Sequence, residues 1–139
     1  LLVSTGMEPV NLSSIPGRRV LNIFPSIGTG VCQASVRSFN ERAAQFENTS
    51  IMNISMDLPF ALNGFCAAEG IEGVQSFSAF RGSFAQDYGV EFTEGKFAGL
   101  CSRSIVIIDE NNQVVYTEQV PSTGQEPDYD AALAAIKAL

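Results

Sequence analysis

Three short runs constrain this chain most: Val20-Leu21-Asn22-Ile23-Phe24, Ile51-Met52-Asn53-Ile54-Ser55 and Ser104-Ile105-Val106-Ile107-Ile108. They are nearly continuous in apolar residues rather than alternating. Strands of that kind are buried on both faces, so a sheet built from them needs a cover on each side. Between the first two runs, Val36, Phe39, Ala43 and Phe46 recur at helical spacing while Arg37, Glu41 and Arg42 fall off that stripe, which predicts a helix from about Val31 to Phe46. Pro59 opens a second predicted helix, from Phe60 to about Ala68, and Gly70 ends it. Asp109-Glu110-Asn111-Asn112 turns the third run into a hairpin with Gln113–Thr117, and a last helix starts at Asp128 after Pro127. Fainter signals mark an edge strand around Pro9–Leu12, a strand near Val74–Phe77 and a helical turn near Ser83–Tyr88. The order strand, helix, strand, helix, strand, hairpin, helix predicts a three-layer α/β sandwich, with residues 1–139 forming a single domain.

Composition then removes whole classes of function. The net charge is −7 with no basic run, so a nucleic-acid backbone or an anionic membrane surface is repelled. No apolar stretch approaches the roughly 20 residues of a membrane span. Leu1-Leu2-Val3 lacks the basic and long apolar regions of a secretory leader, which predicts a cytoplasmic protein. Opening on Leu1 in what reads as mid-domain sequence points to a trimmed amino terminus. There is no histidine, which excludes Ser-His-Asp and Cys-His catalysis and every histidine-containing metal site. The chain has 3 cysteines and no C-x-x-C pair, a poor basis for structural zinc or a disulfide scaffold. A cysteine nucleophile here must be activated without imidazole.

Pro25-Ser26-Ile27-Gly28-Thr29-Gly30-Val31-Cys32 leaves a predicted strand and enters a predicted helix. Cys32 thus falls in a first helical turn, where unpaired N–H groups and the positive end of the dipole stabilise a thiolate. Thr29 could cap that helix or turn its hydroxyl toward the sulfur, and Pro25 could stiffen the loop and shield the thiolate from water. On the residues alone, two readings of Cys32 stay open: a nucleophile, or a small core residue beside glycines that merely turn the chain. Cys66, next to Phe65 on the second helix, reads as a packed core cysteine, and Cys101 as a small apolar filler before a strand. Arg103 opens the third apolar run, a place where arginine is ordinarily solvated or paired with a surface carboxylate.

Pro25, Thr29 and Cys32 match the Pro-x-x-x-Thr-x-x-Cys signature of peroxiredoxins. Leu21-Asn22-Ile23-Phe24-Pro25-Ser26, Arg37-x-Phe39-Asn40, Asp57-Leu58-Pro59-Phe60 and Phe65-Cys66-x-x-Glu69-Gly70 resemble the thiol peroxidase branch of that family. So do Arg103, Ile107-Ile108-Asp109-Glu110-Asn111 and Glu126-Pro127-Asp128-Tyr129, and the similarity covers about residues 18–139.

The resemblance implies a thioredoxin-like sandwich carrying an amino-terminal β-hairpin, most of which has no counterpart here. It implies that Cys32 attacks a hydroperoxide and that Cys66 of the same subunit resolves the product as a disulfide. Arg103, Thr29 and Pro25 then shape the peroxide site. Thioredoxin is the implied reductant and a homodimer the implied assembly; no metal, haem or flavin is called for. Cys101 has no counterpart in the family pattern, while Arg37 and Glu69 read as helix-surface or supporting residues. Two rivals are a thiol–disulfide oxidoreductase, which Cys32-Gln33-Ala34-Ser35 argues against, and a non-catalytic interaction domain on the same fold. One departure matters: the family usually has Asp where this chain has Gly28, so the loop loses a carboxylate that could anchor it.

Overall fold

The computed structural model describes residues 1–139 except Glu47 and Thr123. In chain order the elements are β1 (Leu2–Ser4), β2 (Pro9–Val10), β3 (Arg18–Ile23), α1 (Gly30–Arg42), β4 (Thr49–Ser55), α2 (Pro59–Glu69), β5 (Gln75–Ser78), α3 (Phe84–Asp87), β6 (Ser104–Ile108), β7 (Val114–Gln119) and α4 (Tyr129–Lys137). Among the described residues the strands form one sheet in the order β2-β1-β5-β4-β3-β6-β7. β3, β4 and β5 run parallel, connected by α1 and α2, while β6 lies antiparallel to β3 and returns as β7.

The three apolar runs are the central strands β4, β3 and β6, and alternate residues feed two separate cores. Val20, Ile51, Ile105 and Ile107 face a cluster that includes Cys32, Val36 and Phe39 of α1, Leu62 of α2 and Ile136 of α4. Leu21, Ile23, Met52, Ile54, Val106 and Ile108 face the opposite cluster. That second face is covered by short pieces, chiefly Leu12, Ala79, Phe84 and Ala85 of α3, Val90 and Cys101. Arg19 is buried there and donates to the carbonyls of Leu12 at 2.9 Å, Gly17 at 3.1 Å and Asp109 at 2.7 Å, tying loops to the sheet.

The amino-terminal region differs from expectation. Residues 2–10 make a short antiparallel hairpin, with Leu2 opposite Val10, and β1 continues the sheet by pairing with β5. The strand expected through Leu12 stops at Val10, because Leu12–Ser14 form a 3₁₀ turn that packs Leu12 into the core. The first long helix likewise ends at Arg42, and its expected last turn tightens to 3₁₀ over Ala43–Gln45 while Phe46 stays buried.

Local rules explain the helix ends. Pro59 occupies the first turn of α2, and Gly70 closes it at φ 64°, a left-handed conformation that suits glycine. Asp128 caps α4 by accepting from the Ala131 N–H, and the Tyr129 ring packs edge-on against Phe39 of α1. The Glu126–Tyr129 motif therefore docks the last helix. Among the described residues no helix is long and apolar enough to cross a membrane.

Parallel β3, β4 and β5 all end on one edge of the sheet, and antiparallel β6 begins there, with Ser104 opposite Ile23. In α/β sheets that edge gathers functional loops. Here it collects the Pro25–Thr29 loop, the Met56–Leu58 loop and Arg103.

Candidate active site

Cys32 is the third residue of α1, and its side chain is completely buried. The first helical ladder bond runs from the Gln33 N–H to the Thr29 carbonyl at 3.0 Å, so the N–H groups of Gly30, Val31 and Cys32 lie outside the ladder. Arg103 precedes β6, is 2% exposed, and brings Nη2 to 3.5 Å from the Cys32 sulfur. Its backbone is fixed by the Val120 N–H, which donates to the Arg103 carbonyl at 3.0 Å. A guanidinium this far from water acts with little solvent screening on any negative charge that develops beside it.

Thr29 occupies the helix cap, but its side chain makes no capping bond. The hydroxyl instead donates to the Ser26 carbonyl at 3.1 Å. With that proton committed, Oγ is left as an acceptor on the exposed side of the loop. Pro25 is buried at the base of the same loop.

The loop is not left unanchored by Gly28. Asp57, from the β4–α2 connection, reaches across and accepts from the Ile27 N–H at 2.7 Å and from the Ser26 hydroxyl at 2.9 Å. Ser55 donates to the same carboxylate at 2.6 Å, and Ser78 donates to the Asp57 carbonyl. The sequence offered Asp57 only as one letter of a motif, because its partners lie about 30 positions away. Charge-assisted hydrogen bonds of this kind contribute about 1.5–3 kcal/mol each. Asp57→Asn turns one acceptor into a donor facing donors; we expect a loss of about 2 kcal/mol, lowering the thermal midpoint by roughly 6–8 °C. Calorimetry checks this, and a midpoint within about 1 °C of wild type would contradict the clamp.

Cys66 lies near the end of α2, half-buried, with its sulfur 3.4 Å from the Ser76 hydroxyl of β5. All three cysteines are free thiols. Arg37 of α1 stands over the Phe65 ring at 5.5 Å and pairs with Glu69, which ties α1 to the end of α2. The structure thus brings Arg103 to Cys32 at the end of the Pro25–Thr29 loop, and sets Cys66 on α2 against Ser76 of β5.

Cys101 belongs to the opposite core and is fully buried. Burial, reinforced by the Glu91 and Asp57 carboxylates, pushes its thiol up to about 12. It stays protonated at neutral pH and is inert as a nucleophile.

A buried thiol at a helix amino terminus, facing a buried guanidinium on a thioredoxin-like sheet, defines a cysteine-based redox protein. The Redoxin family matches residues 1–133. The thiol peroxidase of Corynebacterium glutamicum is 53% identical over 136 residues, covering 97% of this chain and 82% of that one. The thiol peroxidase of Mycobacterium tuberculosis is 54% identical over 119 residues, 86% of this chain and 72% of that one. Among solved structures, a peroxiredoxin-like protein from Aquifex aeolicus superposes with a TM-score of 0.93 at 33% identity, covering 99% of this chain and 81% of that one. The chain belongs to the Redoxin family, in its thiol peroxidase branch.

Proposed function

We propose that residues 1–139 act as one domain that reduces hydroperoxides, with Cys32 as the attacking thiol and Cys66 as the thiol that resolves the product. The observation that carries this reading is the Arg103 guanidinium, 3.5 Å from a sulfur at the start of α1. Helix amino terminus and guanidinium both stabilise negative charge on that sulfur.

A hydroperoxide enters from the exposed Gly28–Gly30 side of the loop. Its O–H donates to Thr29 Oγ, which has only acceptor capacity left once its own proton is on the Ser26 carbonyl. The Cys32 thiolate attacks the terminal oxygen, the O–O bond breaks, and the departing oxygen leaves as water or an alcohol after taking a proton. Arg103 stabilises charge on the oxygen that departs. Cys32 is now a sulfenic acid.

Cys66 then attacks the Cys32 sulfur, a disulfide forms, and the sulfenic oxygen leaves as water. Cys32 is fully buried in the first turn of α1 and Cys66 is held against Ser76 as a free thiol, so the first turn of α1 and the end of α2 open before this bond closes. A dithiol reductant, which we take to be thioredoxin in the cytoplasm, returns the pair to thiols by exchange. Two copies pair as a homodimer, which gives Leu58 and Phe60, exposed beside the loop, an apolar surface to cover.

The test is consumption of hydrogen peroxide in the presence of thioredoxin, its reductase and NADPH. Sustained, stoichiometric NADPH oxidation is the expected result. Reduction of insulin disulfides without any peroxide consumption would favour a thiol–disulfide oxidoreductase, and inactivity in both assays a non-catalytic domain.

A further inference from the structure

Beneath the two cysteine helices, three central strands each place one polar residue in the apolar core at the same level. Asn22 of β3 is in register with Asn53 of β4, and Asn53 with Ser76 of β5. Asn22 and Asn53 are fully buried and Ser76 is 9% exposed. Burying such groups in the middle of the sheet costs stability unless they are hydrogen-bonded.

They are, and the bonds reach both cysteines. Ser35 Oγ donates to the Cys32 carbonyl at 2.8 Å, so it can only accept from Asn22 Nδ2, which lies at 3.3 Å. The second Asn22 proton goes to Asn53 Oδ1 at 3.1 Å, and Asn53 Nδ2 donates to Ser76 Oγ at 3.4 Å. Ser76 Oγ also lies 3.4 Å from the Cys66 sulfur, a hydrogen bond that either group can donate. The bonds through Ser35 and Asn53 run outward from Asn22, whose Oδ1 has no hydrogen-bond partner among the described residues. An arrangement that leaves its central amide oxygen unsatisfied is organised around the two ends it serves.

We propose that Asn22, Asn53 and Ser76 form a latch that holds Cys66 in its docked position while the protein is in the dithiol state, with Ser76 setting how readily Cys66 leaves. This rests on the reading of Cys66 as the resolving thiol. Ser76 touches Cys66 only in the docked helix, so its bond stabilises the state before disulfide formation and not the state in which the sulfurs meet. A groove of about 490 Å³, lined by Cys66, Asn63, Ile71, Glu72 and Ser76 among others, lies beside the thiol. Space is thus available beside Cys66 and its Ser76 tether.

The experiment uses the full, reduced chain with Ser76→Ala, Ser76→Thr and Cys66→Ser. Iodoacetamide labelling of each cysteine is followed by mass spectrometry, and disulfide formation after one equivalent of hydrogen peroxide by stopped flow. In Ser76→Ala, both Cys66 labelling and disulfide formation accelerate about threefold to tenfold, the worth of one net hydrogen bond. Oxidation of Cys32 by peroxide keeps its rate, and Ser76→Thr, which retains the hydroxyl, restores the slower closure.

Cys101 is the internal reference. Labelling that rises equally at Cys66 and Cys101 means general loosening and overturns the latch, as does disulfide formation that is unchanged or slower. If Ser76→Ala does not fold, Asn53→Ser cuts the row one step earlier and must move Cys66 labelling the same way. Sustained thioredoxin-dependent turnover by Cys66→Ser would instead remove the resolving role, and this proposal with it.

Discussion

Cys32→Ser consumes no hydroperoxide, whether one turnover or many is measured, whereas Cys66→Ser completes one turnover and stops. The first half follows from the absence of any imidazole: the chain has no histidine to take a proton from a serine hydroxyl. A helix amino terminus and Arg103 can hold a thiolate but cannot turn a hydroxyl into a nucleophile at neutral pH. The second half follows from where the two thiols are held: Cys66 sits against Ser76 of β5, while the loop that presents Thr29 and Cys32 is anchored by Asp57 and faced by Arg103. Its removal leaves peroxide binding intact, so the sulfenic acid forms at an undiminished rate and then waits. With excess peroxide it advances to sulfinic acid, a gain of two oxygen atoms over the thiol. Cys101→Ser changes neither phase, because a thiol pushed up to about 12 on the far face of the sheet supplies no thiolate. Stopped-flow peroxide consumption with intact-mass analysis of each variant checks all three. A Cys66→Ser protein that cycles like wild type would show that another thiol resolves Cys32.

Much of this was legible in the residues because the signals are local. The runs at Val20, Ile51 and Ser104 became β3, β4 and β6, since continuous apolar strands fit only the middle of a covered sheet. Pro59 and Gly70 bounded α2, and Asp128 began α4, each through a bond or backbone angle made within a few residues. What stayed hidden depends on contacts distant in sequence. The edge strand expected around Pro9–Leu12 is present as β2, but β1 is too short to show a period and is a strand because β5 offers it an edge. Asp57 anchors a loop from the next crossover, and no pattern around it announces that. Nothing local distinguishes Asn22 or Asn53 within their apolar runs, and only strand register sets them side by side, where their amides bond. Gly28 illustrates the same limit: its lost carboxylate suggested a loose loop, while Asp57 supplies that anchor from elsewhere.

Arg103→Met slows oxidation of Cys32 by hydrogen peroxide about 10²–10³-fold, the usual cost of removing one donor aimed at charge that develops in a transition state. The loss is assigned to the chemical step because the pairing at the start of β6 uses the Arg103 backbone rather than its side chain. The bond from the Val120 N–H to the Arg103 carbonyl is backbone, and Met fills much of the same buried volume. Arg103→Lys recovers only part of the rate. An ammonium is a point charge with no planar fork, so it cannot face sulfur and departing oxygen at once as a guanidinium can. Two rates separate the parts played by Arg103. Iodoacetamide alkylation of Cys32 reports thiolate reactivity alone, while single-turnover oxidation also needs the O–O bond to break. If the guanidinium acts on the peroxide as well as on the sulfur, oxidation falls further than alkylation in Arg103→Met. A variant whose oxidation rate stays within about threefold of wild type would mean that the helix amino terminus suffices, and that the buried guanidinium 3.5 Å from Cys32 serves the fold instead.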